Sequence, residues 1–260
     1  MFLPDRCSSL SLAEPMCGTL GAVRALVIQQ DDDTPVGTIG DAADASGFTL
    51  EVVRARDGLF PGLSGIDLVI PLGSASMVGD LEHQEWIQPQ LAFLRAAQAA
   101  GVPQFGICFG CQALAAALGG HVYRLPALEV GWQLVDQTGP MAIDAGPWFE
   151  WHWDAVQPPP SAELLAANSV CVQAWRLGRT LAVQFHPEVT PSIVDAWVSS
   201  VAADHFDGQR TSSAEILAAT DANAAGSAGR SHELFSTFLA TLGDHADPAG
   251  TRGTHERNRV

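Results

Sequence analysis

At 260 residues, with 47% hydrophobic and only 16% charged side chains, the chain has enough apolar surface to offset the entropy of ordering a full domain, which excludes global disorder. Acidic residues outnumber Lys plus Arg by 29 to 13, and a formal charge of -16 repels phosphate backbones and anionic headgroups, so no nucleic-acid or membrane partner is expected. Pro4, Asp5, Glu14 and Pro15 interrupt the start of the chain and no apolar run reaches the roughly 18 residues of a membrane span, so a cytoplasmic location is expected.

Residues 1–22 mix Ser, Pro and Gly without a helical or strand period and are expected to form a loose arm. A domain over 23–242 follows, its motif-bearing part at 23–200 and its C-terminal helices at 201–242. Val23 to Gln30 is an apolar run that meets the turn signal Asp31, Asp32, Asp33, as a buried parallel strand does on entering a loop. A helix is predicted from Pro35 to Ser46, then strands at Phe48 to Ala55 and Gly65 to Gly73. Trp86, Ile87, Leu91, Leu94 and Ala97 recur at helical spacing before the stop signal Gly101, and another buried strand begins at Val102. This alternation predicts an α/β fold: a mostly parallel sheet, helices on both faces, and ligands at the carboxyl ends of the strands. From His121 to Phe185 short runs separated by Gly and Pro predict a β-rich C-terminal half. Helices are expected at Pro191 to Ala203, Ser213 to Ala219 and Ser231 to Leu242, before a disordered tail at 243–260.

Five cysteines are neither the density nor the even count of a disulfide scaffold, so each is judged by its surroundings. Gly106-Ile-Cys-Phe-Gly110 ends an apolar strand at Cys108, with glycines two residues away on each side, and a run of helix formers follows at once. This is the sulfur form of the nucleophile elbow, in which small neighbours leave room for a tight strand-to-helix turn. A helix N-terminus beneath Cys108 favours thiolate over thiol. A lone buried cysteine is more often inert, and Cys108 with Cys111 also reads as a CxxC redox pair; the glycine frame favours the nucleophile. Too few soft ligands stand at suitable spacing for a metal site. Leu181 to Phe185 runs into His186-Pro-Glu188, where an imidazole can accept the thiol proton and return it to a leaving amine, with a carboxylate to orient it.

Gly106-Ile-Cys-Phe-Gly-Cys-Gln112 together with Phe185-His-Pro-Glu188 resembles the signature of the class I, triad-type glutamine amidotransferases, in a stand-alone group similar to the amidotransferase domain of GMP synthase. Pro71 to Asp80, Glu129-Val-Gly-Trp132 and Phe149 to Asp154 fall in the family's order. The resemblance implies Cys108, His186 and Glu188 as catalytic triad, the backbone N–H groups near Gly73 and of Phe109 as oxyanion hole, and Gln112 and Ser74 at the substrate. It implies neither cofactor nor metal. Three positions depart from common family residues: Ser74 in place of a second glycine, Cys111 in place of histidine, and Trp153 in place of the glycine of an HGD motif. Trp153 and its neighbours Trp148 and Trp151 are weighed evenly between packing and pocket lining, and His152 is a candidate for either.

The expected reaction is attack of Cys108 on the side-chain amide of glutamine or of a γ-glutamyl amide, with a thioester intermediate and release of ammonia or an amine. The sequence contains no phosphate loop or other nucleotide fingerprint for a synthetase. Either a separate synthetase subunit receives the ammonia, or the protein is a hydrolase in its own right. A non-catalytic regulatory module and a redox sensor are the alternatives from other classes.

Overall fold

The computed structural model of the protein describes residues 23–202, 204–206 and 209–243. The arm and most of the tail expected from the sequence lie outside the described residues. In chain order the elements are β1 (Val23–Gln29), α1 (Gly37–Ala45), β2 (Phe48–Arg54), β3 (Leu68–Pro71), α2 (Gln84–Ala99), β4 (Gln104–Ile107), α3 (Phe109–Ala117), β5 (His121–Gln133), β6 (Asp136–Gln137), β7 (Trp148–Gln157), β8 (Glu163–Ala167), β9 (Val172–Leu177), β10 (Thr180–Val183), α4 (Pro191–Ser200) and α5 (Ser213–Gly243).

The short apolar runs become neighbouring strands of one eight-stranded sheet ordered β2-β1-β3-β4-β10-β9-β8-β6. From β2 to β10 the pairs are parallel, and from β10 to β6 they are antiparallel. The strands β3, β4 and β10 are buried at every position because helices cover both faces. On one face Ile39 and Ala42 of α1 and Leu234, Phe235 and Phe238 of α5 pack against the sheet; on the other, Trp86, Ile87 and Leu94 of α2 and Leu114 of α3 do so. The strands β5 and β7 form a separate antiparallel pair.

Two helix expectations need correction. The helix predicted at Pro191 to Ala203 ends at Ser200. The two helices predicted at 213–219 and 231–242 are one 31-residue helix, α5. Its middle contains no large apolar residue, so the hydrophobic period disappears there. The inward face is made instead by small polar residues: Thr220, Ser227 and Ser231 are buried, Thr220 Oγ1 accepts from Trp132 Nε1 (3.0 Å), and Ser231 Oγ shares its one proton between Ser227 O one turn earlier (2.9 Å) and Pro187 O. Close approach with hydrogen bonding replaces hydrophobic burial.

The strands that matter for the site are adjacent. Because β3, β4 and β10 are parallel, their carboxyl ends open at one edge, and the segments leaving them are Gly73-Ser74, Cys108 and His186-Pro-Glu188.

Candidate active site

Cys108 is the only non-glycine residue with positive φ among the described residues (φ 50°, ψ -107°) and stands at the N-cap of α3. An L-residue held in this region is strained, and the surroundings show what holds it. A Cβ on Gly110 would lie 2.0 Å from Pro71 O on β3, and one on Gly106 would lie 2.4 Å from Leu114 Cδ1. The glycine frame read from the sequence is therefore a packing requirement that lets α3 start directly against the sheet. The N–H of Phe109, at the first position of α3, has no intrahelical acceptor.

His186 Nδ1 donates to Glu188 Oε1 (2.7 Å), which leaves Nε2 as the proton-accepting atom. Nε2 is buried without a hydrogen-bond partner among the described residues. The backbone N–H of His186 donates to Phe149 O (2.8 Å), and the ring stands edge-on to Trp197 with centroids 5.0 Å apart. Below the pair, Pro187 O accepts from Thr38 Oγ1 (2.7 Å) and Ser231 Oγ, and Glu188 O accepts from Thr38 N (3.0 Å). Burial would lower the basicity of His186, but the Glu188 carboxylate, and then Cys108, outweigh it and hold the imidazole well above its ordinary value.

Gly73 lies between the two: a Cβ there would be 3.1 Å from His186 Cε1 and 3.7 Å from Cys108 Cβ. The loop that follows is fastened by Asp31, whose Oδ2 accepts from Ser74 Oγ (2.7 Å) and Ala75 N (3.2 Å), while Ser74 Oγ accepts from Ser76 N (3.0 Å). The Ser74 hydroxyl, expected from the resemblance to face the substrate, thus spends its proton on Asp31. Asp31 also pairs with Arg56.

Cys108, Gln112, His152, Trp153, His186 and Ser74 all line one cavity of about 320 Å³, at the small end of ligand sites. Gln112 Nε2 donates to Asp154 O (3.1 Å) and Gln184 Oε1 (3.4 Å), so its amide braces the cavity wall. Trp151, Trp153 and Trp197 line the cavity, whereas Trp148 is fully buried and stacks on Phe185 with centroids 4.5 Å apart.

Cys111, the other half of the CxxC, is fully buried and free, and its sulfur accepts from Trp175 Nε1 (3.2 Å). Burial pushes its thiol far up.

The family profile described as Glutamine amidotransferase class-I matches residues 47–198. The chain belongs to this family. Two curated relatives are GMP synthases (glutamine-hydrolyzing). The one from Aeropyrum pernix is 36% identical over 119 residues, covering 40% of this chain and 23% of the relative. The one from Thermus thermophilus is 41% identical over 98 residues, covering 34% and 19%. The chain therefore spans about a fifth of the length of these relatives. Among solved structures, a glutamine amido transferase from Methylobacillus Flagellatus superposes with TM-score 0.78 at 24% identity, over 91% of this chain and 99% of that one. A glutamine amidotransferase from Thermotoga maritima superposes at 0.76 and 22%, over 84% and 98%. They share the class I glutamine amidotransferase fold.

The wall beside Cys108 contains a buried histidine whose role sequence reasoning left open. His152 is buried, its Nδ1 donates to Asp154 O (2.9 Å), and its Nε2 lies 3.1 Å from both Glu150 Oε2 and Glu129 Oε2. A carbonyl and two ionised carboxylates are acceptors only, an arrangement that favours a proton on each ring nitrogen. Burial opposes that charge, but Glu129 and Glu150 prevail and raise His152 to about 10. Burial in turn raises Glu150 to about 7, with His152 pulling the other way. Glu129, His152 and Cys171 bring donor atoms within 4.8 Å of one another. Glu129 also accepts from Asn168 Nδ2 (2.6 Å), Gln173 Nε2 (3.2 Å) and Cys171 Sγ (3.8 Å). Glu129 belongs to the Glu-Val-Gly-Trp segment noted in the sequence. Glu150 lies in the Phe149 to Asp154 segment and Asp31 in the turn signal after β1, but neither those signals nor the charge of Arg124 named their partners, which are distant in the chain.

No helix among the described residues is long and apolar enough to cross a membrane.

Proposed function

We propose that the protein hydrolyses the side-chain amide of glutamine or of a γ-glutamyl amide through a thioester on Cys108. The observation that carries this reading is Cys108 at an elbow over the α3 N-terminus, opening on the same cavity as the His186–Glu188 pair. The Cys108 proton passes to His186 Nε2, and the thiolate attacks the amide carbonyl carbon. The resulting oxyanion is met by the N–H groups of Phe109 and of the Gly73 loop. The tetrahedral intermediate collapses, ammonia or an amine leaves with the proton from His186, and a γ-glutamyl thioester remains. Water, deprotonated by His186, then attacks the thioester, releases glutamate and restores the thiol. Glu188 orients the imidazole and balances its positive charge in both halves.

Incubating the purified chain with glutamine and a panel of γ-glutamyl amides, with detection of glutamate and of a Cys108-linked acyl adduct after acid quench, tests this. Glutamate release without the adduct, or release that survives Cys108→Ala, overturns it.

A second reading is favoured by the GMP synthase relatives: a glutaminase that delivers its ammonia to a separate synthetase. It predicts weak hydrolysis alone and strong stimulation by a partner. Full activity of the isolated chain would decide for the hydrolase.

A further inference from the structure

In the reaction proposed above the substrate's carbonyl carbon lies at Cys108 Sγ, and its amide nitrogen takes a proton from His186 Nε2. Any substituent on that nitrogen therefore extends past the imidazole. Beyond the imidazole stands an aromatic wall for which ammonia alone has no use.

The wall is built by α4 and β7. The helix α4 follows closely on the His186-Pro-Glu188 segment, and its Trp197 stands edge-on to the His186 ring, with centroids 5.0 Å apart. Trp151 of β7 meets Trp197 at 84°, with centroids 6.2 Å apart, so the two indoles form a right-angled corner. The His205 ring tilts against Trp151 at 5.8 Å and adds a further flat face. These three rings and Val201 line the cavity that contains Cys108.

Polar groups at this end are already engaged. Trp197 Nε1 donates to Asp33 O (2.6 Å), Thr34 Oγ1 to Asp31 O (2.9 Å) and Ser200 Oγ to Trp197 O (2.8 Å). Their protons are spent within the protein, so what this end chiefly offers a ligand is ring surface and the Val201 side chain. Asp33 is the carboxylate that lines this end, and it is exposed, where water and salt weaken its pull on a cation.

A flat apolar group gains from such a corner, because aromatic rings pair edge-to-face or offset and apolar area removed from water is favourable. Ammonia has no apolar area to bury. The cavity volume of about 320 Å³ limits the substituent to a single ring on a short chain.

We propose that Trp151, Trp197 and Val201 form a leaving-group subsite, and that the substrates are γ-glutamyl amides of arylalkyl amines. This rests on the hydrolase reading above and narrows it. The amide C–N bond breaks, the acyl carbon gains the oxygen of water, and the nitrogen leaves with a proton, so the products are glutamate and a free arylalkyl amine.

The test compares kcat/KM for L-glutamine, γ-L-glutamylethylamide, γ-L-glutamylbenzylamide and γ-L-glutamylputrescine on wild type, Trp151→Leu and Val201→Asp, with thermal unfolding of each protein. Wild type should favour the benzylamide over glutamine by roughly 10- to 100-fold, with the ethylamide between them. Trp151→Leu and Val201→Asp should each lower that ratio roughly tenfold or more, because the loss falls on the substrate that reaches the corner. A wild type that favours glutamine, or the putrescine amide over the benzylamide, overturns the proposal while hydrolysis stands. Equal losses on glutamine and the benzylamide in both folded variants do the same, since they indicate a merely structural role. If wild type hydrolyses none of the four, the hydrolase reading fails, and the subsite is then read from protection of Cys108 against iodoacetamide. Protection by γ-L-glutamylbenzylamide at a lower concentration than by L-glutamine, with the difference lost in Val201→Asp, supports the subsite. Without that difference or that loss, the subsite falls.

Discussion

His186 and Glu188 are joined across Pro187 by a 2.7 Å hydrogen bond from Nδ1 to Oε1, and both side chains are buried. The bond directs Nε2 of the ring at the cavity and ties two residues of one short segment into a single unit. Cys108→Ser and His186→Ala should each lower kcat by at least about 10⁴-fold with the fold retained, and Glu188→Gln should lose roughly a hundredfold less. Ammonia release paired with thermal unfolding measures both. Equal, slight losses from the His186 and Glu188 variants would mean that another group is the base.

Cys111→Ser should retain most of the activity and the wild-type rate of iodoacetamide labelling at Cys108. Its sulfur is engaged by Trp175 and enclosed in the core, and Cys111 is not among the cavity-lining residues. Inactivity matching that of Cys108→Ser under reducing conditions would restore the dithiol reading.

Two glycines should separate stability from activity. Gly110→Ala forces a methyl to within 2.0 Å of Pro71 O, a backbone atom that cannot rotate away, so urea melts should show a loss of roughly 1–3 kcal/mol. Gly73→Ala meets His186 Cε1 at 3.1 Å, and a shift of a few tenths of an ångström accommodates it, at the expense of imidazole placement. Its kcat should fall roughly tenfold or more while stability stays within about 1 kcal/mol. The opposite ranking would show that Gly73 is not against the reacting groups.

Asp31→Ala removes the acceptor of Ser74 Oγ and Ala75 N and should loosen the loop after β3. A fall in kcat of roughly 10- to 100-fold, with stability lowered by about 1 kcal/mol, is expected. Unchanged kcat in steady-state assays would remove that loop from the oxyanion site.

His152 sets a pH dependence of stability. Its ordinary value is 6.5 and its folded value about 10, so below 6.5 both folded and unfolded chains are protonated and the full stabilisation is present. Between those values the folded state alone keeps the proton, so this contribution is lost as pH rises. Urea melts of wild type and His152→Gln across that window should differ in slope, with the wild type falling more steeply as pH rises. Parallel curves would show a neutral ring.

The strands that lead into the site were legible because their signals are local. An apolar run between turn residues becomes a buried strand wherever it lies, and the glycines at 106 and 110 announce an elbow because the chain must turn within a few residues. The middle of α5 was not legible: Thr220, Ser227 and Ser231 pack through hydrogen bonds and small volume, which no hydrophobic period records. The tie between Ser74 and Asp31, 43 positions apart, and the clamp of His152 between Glu129 and Glu150 likewise depend on which strands become neighbours.

The sequence by itself determined the α/β alternation, the residue types at the strand ends and the reaction class they suit, since these follow from local pattern and intrinsic chemistry. Only the tertiary structure decided that the ends of β3, β4 and β10 share one edge, that His152 sits between Glu129 and Glu150, and that Arg124 faces Asp154 across β5 and β7. The physical reason is that protonation and pairing depend on the distance between groups and on burial, and both are created when remote segments pack together.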